Sequence, residues 1–220
     1  MKSLRLMTRH PSAILMLVQL TGMLIYPFLE NTAGGKTIFN VVGIIVLIFA
    51  ARMVRNTPGH AWVSAGIAVP VIILLVLQSV FGWHHLLPIQ SALEAIFYFY
   101  AAGSLIAYMM EDREATTDEL FAAGATFTLL AWGFTHLFVM IEALQPNSFA
   151  AAVNISHPRT WTELNYLSFA LLSSTGIGDV IPLTSYGRAV ASVEMLVGVM
   201  YLTAVVTRLI GFTLQQSSHK

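Results

Sequence analysis

Residues 160–182 read TWTELNYLSFALLSSTGIGDVIP, and this stretch decides how the rest of the chain is interpreted. Its first part, residues 160–172, is an apolar run too short to cross a bilayer, because a spanning helix needs about 20 apolar residues. Thr160 and Glu163 have the Ser/Thr-x-x-Glu spacing of a capping box, which predicts that a helix begins here. A short helix flanked by longer apolar runs predicts a re-entrant segment.

The segment after this helix carries two glycines at alternate positions, Gly176 and Gly178. Glycine adopts positive φ angles without a Cβ clash, so consecutive carbonyl groups here can point to one side. Irregular backbone at membrane depth is tolerated where it is buried in protein or lines a water-filled path. One strand cannot enclose an ion, but four around a symmetry axis form rings of oxygens that replace a cation's hydration shell. The pattern therefore predicts a cation pathway in a homotetramer.

Two charges favour a cation over an anion in this pathway. The short helix directs its partly negative C-terminus towards the segment, and Asp179 adds a carboxylate at the outer mouth of the pore. The permeant cations are the only ions that we expect the chain to bind, and we expect no cofactor. The predicted ligands of these ions are Ser174, Thr175, Gly176, Ile177 and Gly178.

The whole chain has the composition of a membrane protein, since 56% of its 220 residues are hydrophobic and 10% are charged. Apolar windows between polar breaks predict an all-α integral membrane fold with six transmembrane helices plus the re-entrant helix. Residues 1–114 would form a peripheral scaffold of four helices, and residues 115–220 the pore domain. The predicted spans are residues 12–29, 37–54, 61–81, 87–110, 120–144 and 186–214.

The basic residues predict that both termini lie in the cytoplasm and that the protein resides in the cell membrane. With that orientation the inner segments hold Lys2, Arg5, Arg9, Arg52, Arg55, Arg113 and Lys220, against Lys36, Arg159 and Arg188 outside. An acidic cluster between the fourth and fifth spans is interpreted as a solvated connection. Its members are Glu111, Asp112, Glu114, Asp118 and Glu119.

Charge and motif content exclude several other classes of protein. With 11 basic and 11 acidic residues, the chain has no basic field for nucleic acid, so we expect no nucleic-acid partner. It has no cysteine and therefore no disulfide or thiolate metal site. The catalytic patterns His-Glu-x-x-His and Gly-x-Ser-x-Gly are absent, and we expect no enzyme.

The run from Tyr166 to Gly211 resembles the pore helix, filter and inner helix of bacterial potassium channels, over about a fifth of the chain. That family's filter reads Thr-Val-Gly-Tyr-Gly-Asp and is followed by a Pro, a Thr and a Gly-Arg pair. The resemblance implies a passive, potassium-selective homotetrameric channel whose partners are K⁺ and membrane lipids. The matching residues are Gly176, Gly178, Asp179, Pro182, Thr184, Gly187 and Arg188.

Three filter positions depart from the family pattern. Ser174 replaces the innermost Thr, and its hydroxyl group can still bind a cation. Thr175 replaces a Val or Ile, so its hydroxyl group needs a partner if it is buried. Ile177 replaces the Tyr that hydrogen-bonds outward and helps to hold the filter's width. These departures leave open a weakly selective sodium and potassium channel.

The last span holds two residues of interest behind this segment. By the resemblance, Gly198 is a gating hinge, while close helix packing is an equal alternative. Glu194 is ionisable inside a span, and we expect it to support the filter by bonding hydroxyl groups of the re-entrant helix or filter. Helical periodicity predicts a pore-lining stripe of Val197, Tyr201 and Ala204.

Other ionisable residues inside the spans keep a different function open. Glu94, His136 and Glu194 could serve a membrane transporter or enzyme, although the chain lacks the repeated halves typical of transporters. A non-conducting regulatory relative is a third alternative. The fourth span contains no Arg or Lys, so we expect only weak voltage dependence. The sequence does not indicate the gating stimulus.

Overall fold

The computed structural model describes residues 11–30, 43, 45–46, 48, 61–111, 117–152 and 157–218. Within these ranges the chain is almost entirely helical, with two short strands beside the shortest helix. In chain order the elements are α1 (Pro11–Glu30), α2 (Ala61–Phe81), a 3₁₀ turn (His84–Leu86), α3 (Leu87–Glu111), α4 (Thr117–Leu144), β1 (Phe149–Ala151), α5 (Trp161–Leu172), β2 (Val180–Pro182) and α6 (Ser185–Ser218).

Four helices in the described ranges are long and apolar enough to cross a membrane: α1, α3, α4 and α6. They correspond to the predicted first, fourth, fifth and last spans. Helix α2 has the bounds predicted for the third span, although its described apolar stretch, Gly66–Gln78, is shorter than a span. Most of the second predicted span, residues 37–54, lies outside the described residues. The chain is a helical membrane protein.

Helix α4 lies at the centre of the fold and packs against α1, α3, α5 and α6. Its contact with α3 is the most extensive in the structure, and Gly133 allows it, since a Cβ atom there would lie 2.8 Å from the ring of Phe99. The buried Trp132 ring meets Tyr98 of α3 and Trp161 of α5 edge-on, each at 5.7 Å between centroids. These contacts place α5 against the middle of the helical bundle.

Helix α6 is the longest helix in the described ranges, and most of its surface is not covered by the other described residues. Of its membrane-crossing window, 22% is buried within the chain, against 61% for α4. Large apolar side chains therefore face outward along it, and in a membrane they need lipid or another protein surface to cover them. They include Val193, Leu196, Val199, Met200 and Val206.

A two-stranded antiparallel sheet connects the segments on either side of α5. Strand β1 pairs with β2 in a register that sets Phe149 opposite Pro182 and Ala151 opposite Val180. The ladder continues outward, because the Ala152 amide donates to the Asp179 carbonyl at 2.8 Å. The sheet thus connects the residues before α5 with the end of the segment that follows α5.

The acidic connection before α4 is not solvated throughout. Asp118 and Glu119 are both buried, so the interpretation as a solvated connection is wrong for them. Asp118 accepts hydrogen bonds from the amide and hydroxyl groups of Ser12, so its carboxylate satisfies an amide group in the first turn of α1. Glu119 lies 3.1 Å from Arg208 of α6. Each carboxylate is buried because a specific donor on another helix neutralises or solvates it.

Candidate functional site

Helix α5 begins at the predicted capping box. The Thr160 hydroxyl group accepts from the Glu163 amide at 3.3 Å, and the Glu163 carboxylate accepts from the Thr160 amide at 2.8 Å. The other carboxylate oxygen of Glu163 lies 2.9 Å from Arg159, whose side chain is buried. These bonds satisfy the amides of Thr160 and Glu163, and they explain why a helix of 12 residues begins at Trp161.

The chain turns back on α5 where this helix ends. The Ser173 amide donates to Phe169, and the amides of Thr175 and Gly176 both donate to the Ala170 carbonyl at 3.0 Å. The amide groups of the turn are therefore used by the C-terminal carbonyl groups of α5, which otherwise have no partner in the helix.

The carbonyl groups of residues 174–178, unlike most of the amide groups of this segment, have no hydrogen-bond partner among the described residues. Within the described part of the chain, none of these five accepts a hydrogen bond, and all five residues are exposed. Backbone carbonyl groups are obligatory acceptors, so a run of them without donors is open to another ligand. The segment thus offers successive oxygens, with most of its amides turned towards α5.

Every second residue of this segment has a left-handed backbone. The φ angles are +59° at Ser174, +58° at Gly176 and +78° at Gly178. In an ordinary strand successive carbonyl groups alternate in direction, and a change of φ sign at every second residue removes that alternation. The two glycines were visible in the sequence. Ser174 was not predicted to be left-handed, because the conformation is uncommon for a residue with a Cβ atom.

The side chains of the segment differ in their partners. The Thr175 hydroxyl group contacts the Ser173 hydroxyl group, and Ser173 also donates to the Phe169 carbonyl at 2.6 Å. Ile177 is 61% exposed within the described part of the chain. Asp179 is exposed as well, and one of its carboxylate oxygens accepts from the Val180 amide at 2.9 Å.

A residue that sequence reasoning missed organises the turn before β1. One carboxylate oxygen of Glu142 accepts from the Asn147 amide at 3.1 Å, and the other from the Ser148 amide at 2.9 Å. The Ser148 carbonyl group in turn accepts from the Leu183 amide beyond β2. No signal in the sequence marks Glu142, since a Glu at the end of a span is ordinary.

Glu194 lies fully buried where α4, α5 and α6 meet. One of its carboxyl oxygens contacts the hydroxyl group of Ser168 in α5. That hydroxyl group also lies 2.7 Å from the Ala131 carbonyl oxygen in α4. The structure therefore brings Glu194 to the helix that precedes the carbonyl segment and leaves it out of contact with the segment itself within the described residues.

Gly198 lies one turn further along α6, against the end of α5. A Cβ atom at this position would overlap the Leu172 carbonyl group, with the carbonyl carbon at 2.8 Å. The absence of a side chain is what allows α6 to approach α5 this closely. The contact of Gly198 with the Leu172 carbonyl group thus supports the close-packing alternative.

The predicted stripe of Val197, Tyr201 and Ala204 does not form one exposed face. Tyr201 is buried, and its hydroxyl group donates to the Ala123 carbonyl of α4 at 2.6 Å. The prediction is wrong for Tyr201, because its face of α6 packs on α4. Ala204 is exposed and Val197 is half-buried.

Glu94 and His136 form a second buried polar cluster, between α3 and α4. His136 Nδ1 lies 2.8 Å from the Glu94 carboxylate, and the imidazole ring stacks on Tyr98 at 5.4 Å between centroids. Gln90 donates to the other Glu94 oxygen at 3.0 Å. The two ionisable groups are thus partners of each other. The described residues hold no group of three or more His, Cys, Asp and Glu that could bind a metal ion.

Comparison with known proteins places these elements in a family. A family model described as "Ion channel" matches residues 71–215, from within α2 to the C-terminal part of α6. A search of curated proteins and a search of solved structures gave no match. The matched region covers well over half of the chain and includes the carbonyl segment and helices α3, α4 and α5. The chain therefore belongs to the ion channel family.

Proposed function

We propose that the protein is a passive, potassium-selective channel in which four copies of residues 174–178 line one axial pore. The observation that carries this proposal is the run of five carbonyl groups without donors on a backbone that alternates in φ sign. Such oxygens can replace the hydration shell of K⁺ at little cost, because they accept no hydrogen bond from the described residues.

A tetramer is part of the proposal, since one segment cannot surround an ion. The exposed apolar face of α6 and the exposed carbonyl segment both need cover that the described residues of one chain do not supply. A four-fold arrangement would place the segments together at the axis, with α5 as a re-entrant helix behind them. Asp179 would then form a ring of carboxylates at the outer mouth.

The wider architecture in this proposal has six spans, with both termini in the cytoplasm of a cell whose plasma or inner membrane holds the channel. Residues 1–114 would form the scaffold and residues 115–220 the pore. Helix α3 carries no Arg or Lys, which supports conduction without steep voltage gating. Permeant K⁺ would be the only bound ion, and the channel would work without a cofactor.

The test is cation flux through purified protein in liposomes. We expect K⁺ efflux from the wild type and none from Gly176→Asp, because a side chain at φ +58° distorts the backbone and adds a charge to the pathway. Gly103→Ala is the matched control, since a Cβ atom there has nothing within 4 Å. Absence of flux from a properly folded wild type would refute the proposal.

A weakly selective sodium and potassium channel is the second candidate. It is supported by Ile177, whose side chain is 61% exposed and has no hydroxyl group with which to anchor the filter. Reversal potentials under opposed sodium and potassium gradients separate the two candidates. A reversal near the potassium equilibrium potential supports the first, and a reversal near zero supports the second.

A further inference from the structure

The hydroxyl group of Ser168 is the centre of a buried polar cluster that joins three helices. It lies 2.7 Å from the Ala131 carbonyl oxygen of α4 and also contacts one carboxyl oxygen of Glu194 in α6. Ser168 and Glu194 have no exposed surface. One hydroxyl group therefore holds α5 between the two helices on either side of it.

The Ser168 hydroxyl group has fewer hydrogens than it has oxygen neighbours. A serine hydroxyl group has one hydrogen to donate, and both of its neighbours here are oxygens. A backbone carbonyl oxygen such as that of Ala131 can only accept. An ionised carboxylate can also only accept, so a charged Glu194 would leave two acceptors competing for one hydrogen. A protonated Glu194 removes the conflict, because its O–H donates to Ser168 and Ser168 donates to Ala131.

The described residues around Glu194 supply no countercharge. Within the described ranges the basic residues are Arg159, Arg188 and Arg208, and each has a partner elsewhere: Glu163, the Pro182 carbonyl group and Glu119, respectively. A carboxylate that is buried without a cation loses its hydration, and one hydroxyl group does not replace it, which favours the neutral form.

The titratable groups of the neighbouring helices are also engaged away from Glu194. On α4, His136 lies 2.8 Å from Glu94 of α3, and Tyr98 stacks on the same imidazole ring. On α5, Glu163 lies in the first turn and is bonded to Arg159. These contacts leave Ser168 as the polar partner of Glu194 among the described residues.

A second link on the same face of α5 supports the cluster. Thr135 of α4 lies 3.2 Å from the Asn165 side chain, which is one turn before Ser168. Thr135 also donates to the Ala131 carbonyl group at 2.7 Å, so both links converge on the same oxygen. Two polar attachments one turn apart fix the rotation of a helix about its axis as well as its distance from its neighbours.

We propose that Glu194 is a positioning residue that carries a proton in the folded protein and, through the chain Glu194 to Ser168 to Ala131, holds α5 and the carbonyl segment after it in register with α4 and α6. Its effect on conduction rests on the proposed channel function. Its protonation and its role in holding the three helices together do not.

Infrared spectroscopy of the purified wild type and of Glu194→Gln tests the proton directly. We expect the wild type to show a carbonyl stretch of a protonated carboxylic acid that is missing from Glu194→Gln. If the difference spectrum instead shows loss of a carboxylate band, the proposal is overturned. This measurement needs no ion flux, so it decides the question even if the proposed channel function fails.

Substitutions test the positioning role. The amide of Glu194→Gln keeps a neutral donor for Ser168, so we expect thermal stability and flux close to the wild type. Glu194→Ala and Ser168→Ala each break the chain, and we expect flux to fall at least about tenfold, the size of one lost buried hydrogen bond. The double variant Ser168→Ala with Glu194→Ala should lose less than the sum of the two single losses.

Two outcomes would contradict the positioning role. One is a Glu194→Gln protein as impaired as Glu194→Ala, since a neutral donor would then not suffice. The other is additive losses in the double variant, since the two residues would then act separately. If the wild type passes no cations, the proposed channel function fails. The Glu194 and Ser168 variants are then compared with the wild type by thermal unfolding in detergent.

Discussion

The backbone of Gly198 in α6 lies so close to Leu172, the last residue of α5, that any side chain at Gly198 would overlap the Leu172 carbonyl group. This contact joins α6 to the end of α5, where the carbonyl segment begins. Backbone meets backbone at this point, so α6 contacts the base of that segment without an intermediate side chain.

Gly198→Ala should disrupt conduction and stability together. The obstructing atoms are backbone atoms of Leu172, so the helix ends must separate, at a cost of about 1–3 kcal/mol for overpacking. Flux from liposomes and thermal unfolding in detergent measure the two effects, with Gly103→Ala as the control. A variant with altered open probability but unchanged stability would instead support the hinge interpretation.

Arg208→Ala should destabilise the contact between α6 and the start of α4. Its guanidinium group lies 3.1 Å from Glu119, both side chains are largely buried, and removal of one partner leaves a charge uncompensated. Breaking a buried pair costs about 3–5 kcal/mol. Chemical unfolding in detergent measures the loss, and Arg208→Met combined with Glu119→Gln should recover part of it. Equal stability of Arg208→Ala and the wild type would contradict the expectation.

Thr160→Ala should loosen the start of α5. Thr160 is exposed, so the change removes the cap without creating a cavity, and we expect a loss of about 1 kcal/mol. Hydrogen exchange at the amides of Glu163 and Leu164 should become faster. Ser192→Ala is the control, because its exposed hydroxyl group bonds within its own helix. Unchanged exchange in α5 would show that the cap is not needed there.

Ile177→Tyr should raise the preference for K⁺ over Na⁺. The Ile177 side chain is 61% exposed, so the larger ring of a tyrosine has room. The tyrosine hydroxyl group can then hydrogen-bond outward, as in the potassium channels that the segment resembles. Reversal potentials under mixed gradients measure the permeability ratio. Ile181→Tyr in β2 is the matched control, since its side chain is also exposed. A ratio that falls or stays constant would contradict this.

Conductance should depend weakly on voltage. A voltage sensor needs several basic residues within a span, and α3 carries none from Leu87 to Glu111. Patch recordings from reconstituted protein measure the slope of conductance against voltage. A steep curve that requires several gating charges would show that another part of the chain senses the membrane potential.

Local features of the site could be predicted because they depend on neighbours in the sequence. The capping box needs only Thr160 and Glu163, three residues apart, and the left-handed φ angles of Gly176 and Gly178 follow from the missing Cβ atoms. The left-handed Ser174 could not be predicted in this way. Its conformation comes from the turn in which the amides of Thr175 and Gly176 share the Ala170 carbonyl group.

Burial of charge was harder to predict than helix position. Asp118 and Glu119 belong to an acidic run that by composition indicates solvent, yet each finds a donor on a distant helix, Ser12 and Arg208. Tyr201 was assigned to an exposed stripe by periodicity and is buried on α4. Periodicity identifies faces of a helix, but it does not say which face meets a neighbour.

A helical membrane protein with a short capped helix before a glycine-punctuated segment follows from the amino-acid order, because length, hydropathy and capping are set by residues within one or two turns. The pairs of groups that meet follow from the packing of the helices: Glu194 with Ser168, Gly198 with Leu172, and Glu119 with Arg208. Those pairs are separated by 26 to 89 residues in the chain, and they meet because the helices pack around α4.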